Sequence, residues 1–222
     1  MIRTSLFVAS IFFGVITTAM AEVKNFTPVT QEMLLNPSPD DWLMLSRTYD
    51  QQRFSPLKQI NRRNVAQLRM AWARGMGAGI TESVPIVYQG VMYVVAPGAV
   101  IQALDASSGD LIWEYRRKLP TEGFAASART KNLAIYEDLI FYTAPDGYLI
   151  GLDARTGQVR WETMVTDTKT GIHTSGPMVV QGKVITGRAC RRVRESCFIA
   201  AHDAHTGKEV WKFYVTAAPG EP

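Results

Sequence analysis

The sequence predicts an all-β fold, a β-propeller of four-stranded antiparallel blades, on the strength of three observations. The pattern Asp-Ala-x-x-Gly-x-x-x-Trp occurs at residues 105–113, 153–161 and 203–211. Its copies begin 48 and 50 positions apart, and a period of this size is typical of propeller blades. Short runs rich in β-branched and aromatic residues precede every copy, as strands require. We therefore expect about three blades in these 222 residues.

The first two strands of each blade precede the motif and are joined by a two-residue turn. The expected strand pairs are residues 85–88 with 91–95, 133–136 with 139–142, and 177–180 with 183–186. The turns are Gln89-Gly90, Glu137-Asp138 and Gln181-Gly182. In each of them Gly or Asp is expected to adopt the positive φ of a tight hairpin.

The motif itself predicts the second half of the blade. A third strand runs into the Asp, whose carboxylate accepts hydrogen bonds from nearby backbone N–H groups, and the Gly takes the left-handed conformation. The fourth strand begins around the Trp, which would bury ~150–250 Å² against its neighbours. His202 and His205 lie in or beside the third motif and are interpreted as blade residues rather than metal ligands.

The first 21 residues have the features of a secretory signal. Arg3 makes a basic start, residues 6–16 are apolar, and Ala19-Met20-Ala21 provides a cleavage site before Glu22. The apolar run is too short to cross a bilayer as a helix. We therefore expect an exported chain without a transmembrane span.

Charge and cysteine content narrow the function classes. The formal net charge of +4 is mild and argues against a nucleic-acid partner. Cys190 and Cys197 are the only cysteines, and in an oxidising compartment a disulfide closing this short loop is preferred over two separate thiols. A zinc-type site is disfavoured because only three His are present.

The chain divides into a signal peptide (1–21), a lead-in segment (22–72) and the blades (73–222). In the lead-in, the sequence pattern predicts one or two helical turns over residues 61–68 and a strand over residues 70–74. Three blades leave two exposed edges and an unclosed ring, whereas closed propellers need about four to eight blades. We expect the chain to be the front part of a larger protein.

The lead-in carries a family likeness. The segments Asp41-Trp42, Arg53-Phe-Ser-Pro-Leu, Gln59-Ile-Asn and Ala71-Trp72, with the three repeats and the final Ala-Pro-Gly-Glu-Pro, resemble the opening of pyrroloquinoline-quinone-dependent (quinoprotein) alcohol dehydrogenases. The resemblance implies a periplasmic eight-bladed propeller that holds pyrroloquinoline quinone (PQQ) and Ca²⁺ on its axis. It also implies an alcohol substrate and a periplasmic electron acceptor such as a cytochrome c.

The resemblance assigns candidate cofactor residues in the first two units. Glu82 matches a glutamate near the quinone, although an acid at the start of a strand can equally be a solvated side chain. The family's adjacent cysteines fall on Ala125 and Ala126, so that vicinal disulfide is absent. Its cofactor-binding arginine falls on Lys131, a point charge without the planar fork of Arg. Arg129 could substitute, and a solvated basic turn is the alternative.

In the third unit the resemblance assigns the remaining site residues. Thr174 matches a threonine that binds a cofactor carboxylate, or it is a structural strand residue. The backbone N–H groups of Ala189, Cys190 and Arg191 would face the quinone. The family's calcium-binding glutamate falls on an arginine, so Glu195, the only acid nearby, would have to supply that ligand. The alternative is a surface loop pinned by its disulfide.

The complete protein is expected to oxidise alcohols by hydride transfer to a calcium-bound quinone. The aspartate that takes the hydroxyl proton in this family has no counterpart in these residues, so the chain alone is expected to be inactive. Two alternatives remain open: a non-enzymatic exported propeller that scaffolds other proteins, and a degenerate, inactive fragment.

Overall fold

The structure is a computed structural model of the chain, and it describes residues 21–120, 131–166, 175–189 and 196–221. These residues form three four-stranded antiparallel sheets, which we call blades 1 to 3. Blade 1 contains β1 (Ile86–Tyr88), β2 (Val91–Ala96), β3 (Val100–Asp105) and β4 (Leu111–Arg116). Blade 2 contains β5 (Ala134–Tyr136), β6 (Leu139–Thr143), β7 (Tyr148–Asp153) and β8 (Val159–Met164). Blade 3 contains β9 (Met178–Val180), β10 (Lys183–Arg188), β11 (Phe198–Asp203) and β12 (Glu209–Tyr214).

Each blade is a simple meander in which every strand pairs with the next one along the chain. The first strand of each blade has only three residues, and the first strands of blades 2 and 3 contact each other. Short strands that converge in this way are the innermost strands of a propeller. The predicted all-β propeller architecture is confirmed.

The tight hairpins follow the prediction with one exception. Gln89 and Gly90 have φ values of 47° and 77°, and the turn at Gln181 repeats this geometry. In blade 2 the positive φ of 50° belongs to Glu137, so its assignment to Asp138 was wrong. Glu137 holds the first position of its turn, as Gln89 and Gln181 do, whereas the second position has a positive φ only where it is a glycine, which carries no Cβ.

The motif turns have the predicted geometry. Oδ1 of Asp105 accepts hydrogen bonds from the backbone N–H groups of Ser107 and Ser108, at 2.8 and 3.0 Å. Gly109 has a φ of 77° and closes the turn by donating to the carbonyl oxygen of Asp105. The same carboxylate bonds recur in blades 2 and 3, so the motif is a self-contained turn.

The motif tryptophans join consecutive blades. Trp113 of blade 1 donates its indole N–H to the carbonyl oxygen of Ala154 in blade 2, at 3.0 Å, and its ring leaves no room for a Cβ on Gly157. Trp161 makes the same two contacts with the turn of blade 3. Tyr93 donates its hydroxyl to the same Ala154 oxygen, and burial raises the pKa of this tyrosine. The hydrophobic core therefore lies between the blades.

The lead-in crosses the first hairpins of all three blades. Val29 pairs with the hairpin of blade 2, and Asp41 accepts a hydrogen bond from the backbone N–H of Gln89 in blade 1. In blade 3, the backbone N–H of Gln181 donates to Oε1 of Gln31 at 2.7 Å. Gln31 begins a short helix, α1 (Gln31–Leu35), which no pattern in the sequence predicted.

Two further predictions for the lead-in had different outcomes. The predicted helical turn is a 3₁₀ helix over Val65–Gln67. The predicted strand over residues 70–74 is not a strand, because no neighbouring strand pairs with it in the part of the chain that the structure describes. None of the described helices is long and apolar enough to cross a membrane.

Candidate cofactor site

Hydrogen bonds tie together the starts of the three innermost strands. Val84 and Asn132 form a parallel bridge between blades 1 and 2, and the N–H of Val84 donates to the carbonyl oxygen of Lys131 at 2.7 Å. The buried side chain of Asn132 then reaches blade 3. It accepts from the N–H of Gly176 at 3.2 Å and donates to the carbonyl oxygen of Pro177 at 3.1 Å. Lys131 and Asn132 therefore connect the start of the innermost strand of blade 2 to blades 1 and 3.

The start of β9 is held by a close approach of two backbones. A Cβ on Gly176 would overlap the carbonyl group of Asn132, so only glycine fits at this position. Thr143 of blade 2 donates its hydroxyl to the carbonyl oxygen of Ser175 at 2.9 Å. Thr174, the predicted cofactor ligand that precedes this anchored pair, lies outside the described residues.

The structure brings two predicted site residues, Glu82 and Lys131, together from different blades. Nζ of Lys131 lies 3.7 Å from Oε2 of Glu82, and the two side chains are 53% and 40% exposed. An exposed pair of this kind contributes about 0–1 kcal/mol to stability. Because little stability is lost when the pair opens, both side chains remain available to a ligand.

The backbone around Glu82 is fixed to β2. Ser83 accepts a hydrogen bond from the N–H of Val95 at 3.1 Å, and the Thr81 hydroxyl donates to the carbonyl oxygen of Val95 at 3.5 Å. The glutamate side chain is therefore exposed while its main chain is anchored. Such an arrangement preorganises a ligand-binding group.

The candidate loop of blade 3 is described only at its two ends. Ala189 is exposed directly after β10. Cys197 is disulfide-bonded, and its backbone is fastened to the segment after β12 by bonds to Thr216 at 2.8 Å and Val215 at 2.9 Å. Cys190, Arg191 and Glu195 lie outside the described residues. The pairing of Cys197 with Cys190, the only other cysteine, stays a prediction.

The two described side chains, an ammonium and a carboxylate, can bind a ligand that carries both acceptor oxygens and a hydrogen-bond donor. The Lys131 ammonium can donate hydrogen bonds to carboxylate or carbonyl oxygens, and Glu82 can accept from a protonated group. Residues 21–120, 131–166, 175–189 and 196–221 contain no group of three or more His, Cys, Asp or Glu that could hold a metal ion. The calcium site stays a prediction because Glu195 is not among these residues.

An apolar cavity of about 170 Å³ lies between the lead-in and the innermost strands β5 and β9. Leu34, Leu43 and Ile135 contribute to its walls, and Asn132 lines it as well. Tyr49 bridges the lead-in to β9 by donating its hydroxyl to the carbonyl oxygen of Val179 at 2.7 Å. Burial raises the pKa of Tyr49. The cavity therefore reaches Asn132, the residue that follows Lys131 in the chain.

Sequence reasoning missed the residues that support the site. Ser83 and Ser175 each stand two positions before a proline at the start of a first strand. This repeated Ser-x-Pro pattern could have marked both as anchors. Asn132 carries no such signal, because its importance depends on blade 3, whose chain approaches it from 44 positions away.

The sequence matches the family described as "PQQ: Glucose/ethanol/alcohol dehydrogenase, beta-propeller domain" over residues 42–222. Among curated proteins, it is 38% identical to the quinohemoprotein alcohol dehydrogenase ADH-IIG of Pseudomonas putida over 191 residues, which is 83% of this chain and 26% of the relative. It is 34% identical to the 1-butanol dehydrogenase (cytochrome c) of Thauera butanivorans over 176 residues, covering 77% of this chain and 25% of the relative.

Solved structures give the same result. The quinohemoprotein alcohol dehydrogenase from Comamonas testosteroni superposes with a TM-score of 0.74 at 31% identity, covering 87% of this chain and 30% of that one. A europium-containing methanol dehydrogenase superposes with a TM-score of 0.77 at 31% identity, covering 86% and 35%. The chain thus spans about a quarter to a third of the length of these relatives.

Proposed function

The chain belongs to the PQQ glucose/ethanol/alcohol dehydrogenase propeller family, and from this premise we propose that it is the first part of an alcohol dehydrogenase that uses pyrroloquinoline quinone. The observation that carries the proposal is the meeting of Glu82 and Lys131 at 3.7 Å. Sequence resemblance selected these two residues independently, from different blades, and the fold places them side by side where the innermost strands begin.

Lys131 and Glu82 would bind the cofactor by complementary charge. The quinone carries carboxylate and carbonyl oxygens, which suit the ammonium donor of Lys131. Lys131 stands where the family places an arginine, so it offers one point charge instead of a bidentate fork. When bound, the quinone supplies the hydride acceptor for alcohol oxidation.

The remaining predicted ligands complete the proposal in blade 3. The hydroxyl of Thr174 would bind a cofactor carboxylate, and the backbone N–H groups of Ala189, Cys190 and Arg191 would donate to the cofactor. Glu195 would contribute to a Ca²⁺ site, an ion that takes about six to eight oxygen ligands. The further ligands required would come from outside the 222 residues.

The substrate and the setting of the reaction are part of the same proposal. The names of the relatives include an alcohol, methanol and 1-butanol dehydrogenase, which supports a primary or secondary alcohol as substrate. One of them is described as acting with cytochrome c, which supports a similar periplasmic acceptor here. The secretory signal at residues 1–21 supports export, and the oxidising compartment fits the disulfide at Cys197.

The test is quinone-dependent alcohol oxidation by the full-length protein, loaded with pyrroloquinoline quinone and Ca²⁺ and assayed with an artificial electron acceptor. Lys131→Ala is expected to weaken quinone binding at least about tenfold, since the loss of one charge-assisted hydrogen bond costs roughly 1.5–3 kcal/mol. The matched control is Lys118→Ala, which removes an exposed lysine elsewhere.

A full-length protein that folds, binds no quinone and oxidises no alcohol would contradict the proposal and favour the scaffold alternative. If alcohol oxidation proceeds and Lys131→Ala behaves like Lys118→Ala, the proposed role of Lys131 is wrong while the activity stands.

A further inference from the structure

The side-chain amide of Asn132 bridges the starts of two innermost strands that belong to different blades. Its Oδ1 accepts a hydrogen bond from the N–H of Gly176 at 3.2 Å, and its Nδ2 donates to the carbonyl oxygen of Pro177 at 3.1 Å. Asn132 is buried, so both bonds form away from water, where an unpaired polar group is costly. The amide thus acts toward blade 3 as the peptide group of a neighbouring strand would, with one donor and one acceptor.

The groups that Asn132 binds lie just before the ladder of blade 3. That ladder begins at Met178, and Pro177 has no backbone N–H with which to extend it. The innermost strands β5 and β9 belong to separate sheets. The Asn132 amide therefore fastens residues 176–177 at a point that the ladder of their own sheet does not reach.

Two further contacts limit the position of this segment. A Cβ on Gly176 would overlap the carbonyl group of Asn132, so the two backbones already lie as close as their atoms allow. Thr143 donates its hydroxyl to the carbonyl oxygen of Ser175 at 2.9 Å. Residues 175–177 are thus bound to blade 2 at each position.

Both ends of the Asn132 bridge adjoin a residue that the proposed function assigns to the cofactor. Lys131 directly precedes Asn132, and its carbonyl oxygen accepts a hydrogen bond from Val84 of blade 1 at 2.7 Å. Thr174 stands two positions before Gly176 in the sequence. The bridge is therefore the direct link between the backbone that carries the ammonium and the backbone that leads to the hydroxyl.

We propose that Asn132 is a positioning residue, which holds Lys131 of blade 2 and the segment that follows Thr174 in blade 3 at the separation that one quinone molecule spans. The role rests on the proposed function, because the cofactor contacts of Lys131 and Thr174 belong to it. Asn132 acts through these neighbours, since its own amide is bonded to the backbone of blade 3. Ligand groups that are held in place before binding lose less freedom on binding, which raises affinity.

Asn132→Asp tests the bridge by removing one donor with almost no change in volume. The carboxylate can still accept from Gly176, but it places an oxygen against the carbonyl oxygen of Pro177. Quinone binding to the full-length apoprotein, measured by titration calorimetry at about pH 8, is expected to weaken at least about tenfold, because a buried hydrogen bond is lost and the two oxygens repel. Asn132→Ala, which removes both bonds, is expected to bind at least as weakly.

Tyr93→Phe is the matched control. It also removes one buried donor to a backbone carbonyl oxygen of a neighbouring blade, that of Ala154, at 3.1 Å. This variant is expected to keep the wild-type quinone affinity, and urea unfolding measures how far each substitution lowers stability. Equal losses of affinity in Asn132→Asp and Tyr93→Phe would overturn the proposal, and so would wild-type affinity in both Asn132 variants.

The pH dependence of quinone binding separates the missing donor from other effects of the substitution. A carboxyl group buried beside a carbonyl oxygen has a raised pKa, and once protonated it can donate to Pro177 as the amide does. The affinity of Asn132→Asp relative to the wild type is therefore expected to recover as the pH falls from about 8 to about 5. Asn132→Ala has no such donor and is expected to stay weak. A lack of recovery in Asn132→Asp would contradict the proposal.

The backbone amide of Gly176 reports on the bridge without any quinone. In Asn132→Ala this amide is expected to exchange with deuterium at least about tenfold faster than in the wild type, because its acceptor is gone. The amides in the β6–β7 ladder are the internal control and are expected to exchange as in the wild type. Unchanged exchange at Gly176 would overturn the proposal. If the wild-type protein bound no quinone, the proposed function would fail, and faster Gly176 exchange in the variant would still show that Asn132 holds blade 3, so the two failures are distinguishable.

Discussion

Trp113 and Ala154 join two blades through one hydrogen bond of 3.0 Å, from the indole N–H to the backbone carbonyl oxygen. The same oxygen accepts the hydroxyl of Tyr93 at 3.1 Å. A turn that was predicted as a feature of one blade is therefore also the docking site for the blade before it. Glycine is required in that turn for two reasons, because its φ is positive and because the tryptophan ring of the preceding blade leaves no room for a Cβ.

Gly157→Ala is expected to destabilise the protein by about 3 kcal/mol. The new Cβ would strain a φ of 72° and displace the ring of Trp113. Left-handed strain costs roughly 1–2 kcal/mol, and overpacking costs roughly 1–3 kcal/mol. Gly90→Ala is the matched control, since its φ is 77° but nothing lies within 4 Å. Urea unfolding checks both, and equal losses would show that the ring contributes nothing.

Trp113→Phe and Trp211→Phe test the docking hydrogen bond. Trp113 is buried, so losing its N–H and part of its ring is expected to lower the free energy of unfolding by about 1–3 kcal/mol. Trp211 holds the same motif position but is 42% exposed, so its replacement is expected to cost less than about 0.5 kcal/mol in the 22–222 chain. Thermal unfolding of the two variants in parallel is the measurement, and similar losses would contradict the docking role.

Arg117→Ala is expected to destabilise the protein by about 3–5 kcal/mol. The Arg117 guanidinium lies 2.9 Å from the Asp146 carboxylate, and their side chains are only 11% and 6% exposed. Removing one partner leaves a buried charge unpaired. Arg117 also extends to Glu162 at 2.6 Å and stacks over the ring of Tyr148, which joins the two blades further.

Arg160→Ala is the control for this ion pair. Arg160 binds Asp138 and Asp153, yet it is 51% exposed, so its loss is expected to cost less than about 1 kcal/mol. Denaturant unfolding compares the two variants. An Arg117→Ala loss no larger than the Arg160→Ala loss would mean that burial does not strengthen the pair between the blades.

His202 is expected to make stability fall as the pH falls below about 6.5. Burial lowers the pKa of His202, opposed by the hydrogen bond of Nδ1 to the carbonyl oxygen of Gly207 and by the charge of Glu209. The pKa of His202 is thus lower in the folded than in the unfolded state. As the pH falls, the unfolded state therefore binds the proton at a higher pH than the folded state does. Stability is complete above the unfolded pKa of about 6.5 and is lost as the pH falls toward the folded value.

His202→Leu should remove that pH dependence, because the other two blades have leucine at this position. At neutral pH leucine would remove a buried Nε2 that has no hydrogen-bond partner, but it would also lose the Nδ1 hydrogen bond to Gly207, so these two effects on stability oppose each other. His205→Gln, at an exposed position, is the control and should keep the pH dependence. Unfolding free energies at pH 7.5 and 5.5 check this, and an unchanged slope in His202→Leu would rule out His202 as its source.

Most of the blade architecture could be predicted because it is local. An Asp bonds backbone groups two and three residues away, and the glycine four residues on takes the positive φ, so the motif specifies its own turn. Prediction failed where the conformation of a segment depends on a contact with residues far away in the sequence. Residues 70–74 were expected to form a strand, but they have no partner strand among the described residues.

For the candidate site, the sequence by itself determined the repeat, the register of the strands and, through family resemblance, which residues to examine. Only the tertiary structure decided that Glu82 and Lys131 meet, that Asn132 holds blade 3 at its innermost strand, and that Trp72 docks like a blade tryptophan. The physical reason is distance along the chain. Turn and strand preferences act over a few residues, whereas these contacts join residues 34 to 49 positions apart and form only when separate blades pack.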